Sequence, residues 1–244
     1  VSAVIWHDLE CGRYRQDLAL WLGLAAESVT GSGTVLDVGS GTGRVSLPLA
    51  QAGYRVVALD RDPELLAELE RRAEGLPVRT ACADARDFSL PNHSFALIVV
   101  PMQTIQLLGG PGAHAAFFAR ARAHLAPGGV VAVAIAAAED FEEFVWHEGD
   151  LVPLPDIAEV DGRAYFSQPT AVRRVGETFV LERRREVVDL DGARSGSDDR
   201  IVLDILTVGE LEHAAATSGL RRQALRRIEP TDEHIGSEVV ILGV

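Results

Sequence analysis

Short apolar runs rich in β-branched residues alternate with stretches of helical spacing over the first half of the chain, and this alternation sets the expected architecture. Val35-Leu36-Asp37-Val38, Tyr54 to Asp60, Pro77 to Ala83, Ser94 to Val100 and Val130 to Ile135 are bounded by glycine, proline or acidic residues and read as strands. Val45, Leu47, Leu49 and Ala50 give the first intervening stretch one apolar helical face, which stops at Ala52-Gly53. Asp62-Pro63-Glu64 opens the next helix with a cap, a proline in the first turn and an acid near the positive end, and that helix runs to about Arg72. A third helix covers Ala113 to Leu125 and breaks at Ala126-Pro127-Gly128-Gly129. Strand and helix in alternation imply right-handed crossovers and a parallel sheet.

Outside this core the pattern changes. Trp6 to Val29 carries Leu18, Trp21, Leu22, Leu24 and Ala25 at helical spacing behind Asp17, so an amphipathic helix is expected there. Glu139 to Asp161 is acidic, contains Pro153 and Pro155 and holds no period, which predicts a lid or loop with room for a short helix. Arg163 to Val175, Thr178 to Leu190 and Arg200 to Leu206 alternate polar with apolar and are joined by Gly176 and by the Asp191-Gly192…Gly196 stretch, so they read as antiparallel strands inserted into the fold. Thr207 to Ser218 is a helix closed by Gly219, and two last strands follow around Arg221 to Ile228 and Glu238 to Leu242. The chain reads as one domain over residues 1–244, with a core at 30–136, an inserted lid and strands at 137–206, and the last helix and strand pair at 207–244.

The first strand runs into Asp37-Val38-Gly39-Ser40-Gly41-Thr42-Gly43-Arg44. Three glycines at alternate positions allow φ > 0 and leave no Cβ between the main chain and a bound molecule. A dinucleotide loop has its third glycine after two intervening residues, where this chain has Arg44. The G-x-G-x-G loop with its leading acid resembles the first motif of the class I S-adenosylmethionine (SAM)-dependent methyltransferases. Asp60, ending the next strand, matches that family's second mark, a carboxylate for the ribose hydroxyls, and Arg61 follows it. The resemblance further implies that Asp84, after the third strand, takes the adenine amino group, with the Ala85 N–H on a ring nitrogen. Asp37, Gly39, Ser40, Gly41, Gly43 and Val100, at the end of the fourth strand, complete the implied cofactor set. Tyr14 either reaches the cofactor's carboxylate end or packs its helix on the sheet. One departure stands at Ala96, where the family usually has aspartate, whereas Leu125 to Gly129 before the fifth strand fits. The implied fold is α/β: a Rossmann-like, doubly wound, seven-stranded and mostly parallel sheet with a C-terminal antiparallel strand pair and an inserted antiparallel strand subdomain.

The cofactor implied is SAM, and the implied reaction is in-line displacement of its methyl group onto N or O of a small-molecule acceptor. Composition narrows the acceptor: 23 basic against 36 acidic residues, a net charge of −13, disfavours nucleic acid. Arg183-Arg184-Arg185 is accordingly read as a solvated strand face. Ligands of open parallel sheets bind at the carboxyl ends of the strands, which makes Gln103, Thr104 and Gln106 candidate acceptor contacts unless they only cap the next helix. His234 is a candidate base or acceptor contact, or else a surface loop residue. Cys11 and Cys82 lie far apart with no ligand spacing, so no metal or disulfide is indicated and a cytoplasmic monomer or homodimer without membrane contact is expected. Two rival readings remain at this point: a methyltransferase acting on protein or nucleic acid, and a non-catalytic SAM-binding module.

Overall fold

The computed structural model describes residues 3–137, 139, 141, 154–231 and 234–244. Most of the acidic stretch expected as a lid therefore lies outside the described residues. Among the described residues, eleven strands form two sheets. The larger has the order β10-β11-β5-β4-β1-β2-β3, built from β1 (Thr34–Val38), β2 (Arg55–Asp60), β3 (Val78–Cys82), β4 (Phe95–Val100), β5 (Leu125–Ile135), β10 (Arg221–Ile228) and β11 (Ser237–Gly243). β1 to β5 are parallel, and β11 runs antiparallel to both β5 and β10. This is the parallel sheet that the alternation implied, with the C-terminal antiparallel pair that the family resemblance implied.

The central strands are apolar throughout because both of their faces are buried. Leu97 and Val99 of β4 enter one core with Val35, Trp21, Leu24 and Leu49, while Ile98 and Val100 enter the other with Leu36, Phe117, Phe118 and Leu211. Consecutive side chains thus serve opposite layers, the period of two that a strand imposes. Each layer is filled by helices: α2 (Leu18–Ser28) and α3 (Ser46–Gln51) contribute to the first, α5 (Pro111–His124) and α6 (Val208–Ala216) to the second. α4 (Pro63–Arg72) packs Leu66 and Leu69 on Ala58, and Asp62 caps it by accepting from the Glu64 and Leu65 N–H groups.

The N-terminal stretch is two helices, α1 (Ala3–Glu10) and α2, rather than one. Gly12 closes α1 through its N–H to the Asp8 carbonyl, and the next four residues, three of them polar, pass over to Asp17. Asp17 is fully buried because Trp21 Nε1 and both terminal nitrogens of Arg44 donate to its carboxylate. The second sheet has the order β6-β7-β8-β9, with β6 (Asp156–Val160), β7 (Arg163–Val175), β8 (Thr178–Val188) and β9 (Arg194–Asp204), antiparallel throughout. Two of these strands depart from the expectation. β6 falls within the stretch read as a loop, and β9 starts six residues earlier than its apolar alternation, because ion pairs Arg184–Asp198, Arg185–Asp199 and Arg194–Glu186 pair its polar half with β8. No helix among the described residues is long and apolar enough to cross a membrane.

Candidate active site

β1 marks the point where the chain turns back on itself, with β2 on one side and β4 on the other, and a crevice at such a point opens beyond the carboxyl ends of the strands. A cavity of about 370 Å³ lies there. Its floor is Asp37, Gly39, Ser40, Asp60, Arg61, Asp84, Ala85 and Pro101 to Thr104, and its walls are His7, Glu10 and Cys11 of α1 with Leu181, Arg183, Ile201 and Leu203 of the inserted sheet.

The glycine loop is shaped by backbone needs. Gly39 has φ +71°, and its N–H, like that of Ser40, donates to the Leu59 carbonyl, tying the loop to β2. A Cβ there would stand 2.5 Å from Thr104 Cγ2, so the close approach is required. Gly41, with φ +52°, has the His7 ring where a Cβ would be, so α1 lies directly on the loop. The Gly41 N–H donates to Asp60 Oδ2 at 2.8 Å and the Asp62 N–H to Asp60 Oδ1 at 3.0 Å, which fix that carboxylate at the strand end and leave each oxygen a further lone pair.

Asp37 is the electrostatic centre of the floor. It is buried, Ser46 Oγ donates to Oδ2 at 2.6 Å, and among the described residues neither Oδ1 nor the buried Ser40 Oγ has a hydrogen-bond partner. Burial raises the Asp37 carboxyl to about 6, against the lowering effects of Ser46 and Arg44. Two orphaned oxygens on one cavity floor suit a ligand that brings N–H donors, such as an ammonium group. Asp84 stands opposite in character: Arg86 grips it through Nε, Nη2 and its backbone N–H, and these bonds hold the carboxyl down to about 2.

Residues 35–129 match the family described as a methyltransferase domain. Over that stretch, which holds the glycine loop, Asp60 and Asp84, the chain is similar to methyltransferase domains. The orphaned Asp37 and Ser40 oxygens, the strand-end carboxylate of Asp60 and the glycine loop fit SAM. The chain is 28% identical over 221 residues to the N-methyltransferase FrzE of Cladobotryum sp, covering 76% of this chain and 74% of that protein. Among solved structures it resembles the sugar N-methyltransferase KedS8 from Streptoalloteichus sp ATCC 53650, with a TM-score of 0.75 and 19% identity over 99% of this chain and 92% of that one. It also resembles SAM-bound CalS10, an amino pentose methyltransferase from Micromonospora echinaspora, with a TM-score of 0.68 and 24% identity over 97% and 96% of the two chains.

Not every expected residue reaches the cavity. Tyr14, Gly41, Gly43, Val100, Gln106 and His234 are not among its lining residues. Tyr14 is in the core, with the His234 ring 4.8 Å from its own and the Arg44 guanidinium 5.1 Å above it, and burial pushes its hydroxyl up to about 12. Gln106 is also buried: its side chain bonds both the N–H and the carbonyl of Ala136 and the carbonyl of Asp204, clasping the end of β9 to the core. Asp204 completes that clasp by accepting from the Gly109 and Gly110 N–H groups and pairing with His114 Nε2. The arginine run alternates as a strand must. Arg184 faces solvent, whereas Arg183 and Arg185 point inward, so it is not one solvated face. His7, Glu10 and Cys11 carried no motif, and α1 comes over the cavity only through tertiary contacts. These include Asp8 to Arg72 and Thr42, Glu10 to Arg185 and Ser167, and the Ala3 N–H to Glu64, and Trp6 and Leu9 also pack against Tyr165 and Val187.

Proposed function

We propose that this methyltransferase methylates an amine nitrogen of a small-molecule acceptor held in the cavity between the glycine loop and the inserted sheet. The observation that carries the reading is the continuity of one cavity from Asp37, Asp60 and Asp84 to Leu181, Ile201 and Leu203. The first group suits a polar cofactor, and the second gives an acceptor apolar contact area. Nitrogen as the target is supported by the N-methyltransferases this chain resembles.

In the proposed arrangement Asp37 and Ser40 receive the cofactor's ammonium, Asp60 its ribose hydroxyls, and Asp84 with Ala85 its adenine. The bound cofactor supplies a methyl carbon activated by a sulfonium, open to in-line attack by the acceptor. What the chain must do is align the acceptor and exclude water. Gln103, at the end of β4, offers both a donor and an acceptor to orient it, while α1 and the inserted sheet close the walls. A neutral amine carries its own lone pair, so no general base is needed at the moment of attack.

The test is to incubate the protein with methyl-labelled SAM and a metabolite extract, and to search by mass spectrometry for products that gain the labelled methyl group. A labelled product whose label sits on nitrogen is expected. Label found only on oxygen, on protein or on nucleic acid would overturn the reading.

A further inference from the structure

Arg183 is a charged group of the cavity that the cofactor site leaves unused. It stands on β8 two residues beyond Leu181, on the same face, with its side chain 14% exposed. One edge of its guanidinium is loosely engaged, Nη1 lying 3.4 Å from Ser167 Oγ and 3.6 Å from Asp156 Oδ2, a carboxylate that is itself 43% exposed. On the other edge Nε is buried and has no hydrogen-bond partner among the described residues.

The neighbouring arginines are different. Arg185 binds Glu10 at two nitrogens and Asp199 at a third, and Arg44 and Arg86 are each gripped by one carboxylate, Asp17 and Asp84. Glu10, an acid of the same wall, is hydrogen-bonded by Arg185 and Ser167, and those bonds, with the charges of Arg185 and Arg183, outweigh its burial and lower its pKa, so it stays an anion paired chiefly with Arg185. A guanidinium sunk in a cavity wall, with a half-exposed carboxylate at 3.6 Å as its ion-pair partner and an N–H unanswered among the described residues, has bonding capacity to spare. Its planar fork is suited to an oxyanion.

We propose that the methyl acceptor carries an oxyanion, a carboxylate or a phosphate, which docks on Arg183 while an apolar segment of the acceptor lies against Leu181 and Leu203. This rests on the reading of the cavity as the acceptor site and names the class of molecule that enters it. With a chain charge of −13, the general field would turn such a molecule away, so Arg183 acts as the local recognition element.

The experiment uses the full chain saturated with S-adenosylhomocysteine, titrated with hexanoate, hexyl phosphate and hexan-1-ol and followed by ligand-observed NMR. At least one anion should bind tenfold or more tightly than hexan-1-ol, and the tighter anion tells carboxylate from phosphate. Arg183→Gln should abolish that preference while binding hexan-1-ol as before, and Arg183→Lys should keep part of it. An alcohol bound as tightly as both anions, or a preference that survives in Arg183→Gln, overturns the proposal. The wild-type comparison decides the matter even if Arg183→Gln does not fold. Wild-type protein that fails to bind S-adenosylhomocysteine removes the underlying reading of the cavity, whereas normal binding without anion preference removes this proposal alone.

Discussion

The two walls of the cavity are built by different physics. On the parallel-sheet side, Asp37, Ser40, Asp60 and Asp84 stand at strand ends within fifty residues of one another, placed by backbone pairing in register and by a loop whose turns need glycine. On the other side, Glu10 and Arg185 meet across 175 residues, and Gln106 and Asp204 meet across 98. There the chain is joined by buried ionic and amide bonds between elements that share no hydrogen-bonded strand edge. One wall is a property of local pattern, and the other of long-range pairing.

The largest effect should come from breaking that long-range pairing. Glu10 is 6% exposed and Arg185 20%, so Arg185→Ala strands a carboxylate in the wall. A broken buried pair typically costs about 3–5 kcal/mol. Urea denaturation of Arg185→Ala should show a loss of that size, and the double variant Glu10→Leu/Arg185→Leu should recover most of it. Equal losses in both would mean that the pair matters for packing rather than charge.

Asp37 is the corresponding weak point of the backbone-built wall. Its carboxyl loses a proton at about 6 in the folded protein and near the ordinary value of 3.8 when unfolded. Between those values Asp37 holds more proton in the folded state, so its own contribution to stability falls as pH rises from about 4 to about 6 and then stays level, while Glu10, Glu68 and Asp84, whose carboxyls are lowered, contribute in the opposite sense over the lower part of that range. The shift corresponds to something on the order of 3 kcal/mol. Urea melts from pH 4 to 8 should show the stability of wild type declining relative to that of Asp37→Asn as pH rises from about 4 to about 6. If an ammonium binds there, SAM affinity should also rise over the same pH range in wild type only.

Asp60 sharpens the contrast further, since it joins the loop to the proposed ribose site through a single carboxylate. Asp60→Ala should weaken SAM binding by about 1.5–3 kcal/mol, the usual range for hydrogen bonds to a charged group. Calorimetry on a folded variant with unchanged affinity would take Asp60 out of the site.

What could be read in the chain follows the same division. The parallel sheet was legible because Val35 to Val38, Tyr54 to Asp60 and Ser94 to Val100 obey short-range rules of period and punctuation, and the glycine loop carries its own geometry. β7 and β8 were legible for the same reason, and so was the capped helix at Asp62. The Thr207–Glu210 capping box at α6 is another such local signal. α1 was not, because Gly12 and a polar stretch of four residues only mark a break once Asp17 is seen to be buried under Arg44. Nor was the inward turn of Arg183 and Arg185, since charge in a strand reads as solvent-facing until a partner such as Glu10 is found. β6 is five residues long with only Ala158 and Val160 turned to a core, too short a pattern to stand out in an acidic stretch, and the first half of β9 lacks apolar alternation, so that its pairing rests on cross-strand ions that no window of neighbouring residues contains.

The smallest expected effect separates two residues that the sequence had grouped. Gln103 lines the cavity beyond the end of β4, whereas the His234 ring lies on Tyr14 outside it, with its Nδ1 buried and without a hydrogen-bond partner among the described residues. If Gln103 orients the acceptor by one or two neutral hydrogen bonds, Gln103→Ala should cost about 1 kcal/mol in kcat/KM, roughly fivefold, with SAM affinity unchanged. His234→Ala removes an aromatic contact in the core and should lower Tm while kcat/KM stays near wild type. Should His234→Ala instead lower kcat with an unchanged Tm, the imidazole reaches the acceptor during turnover and the Tyr14 stack must open. Steady-state kinetics and thermal melts of the two variants side by side decide between these outcomes, because a packing role moves only the melt and an acceptor contact moves only the kinetics.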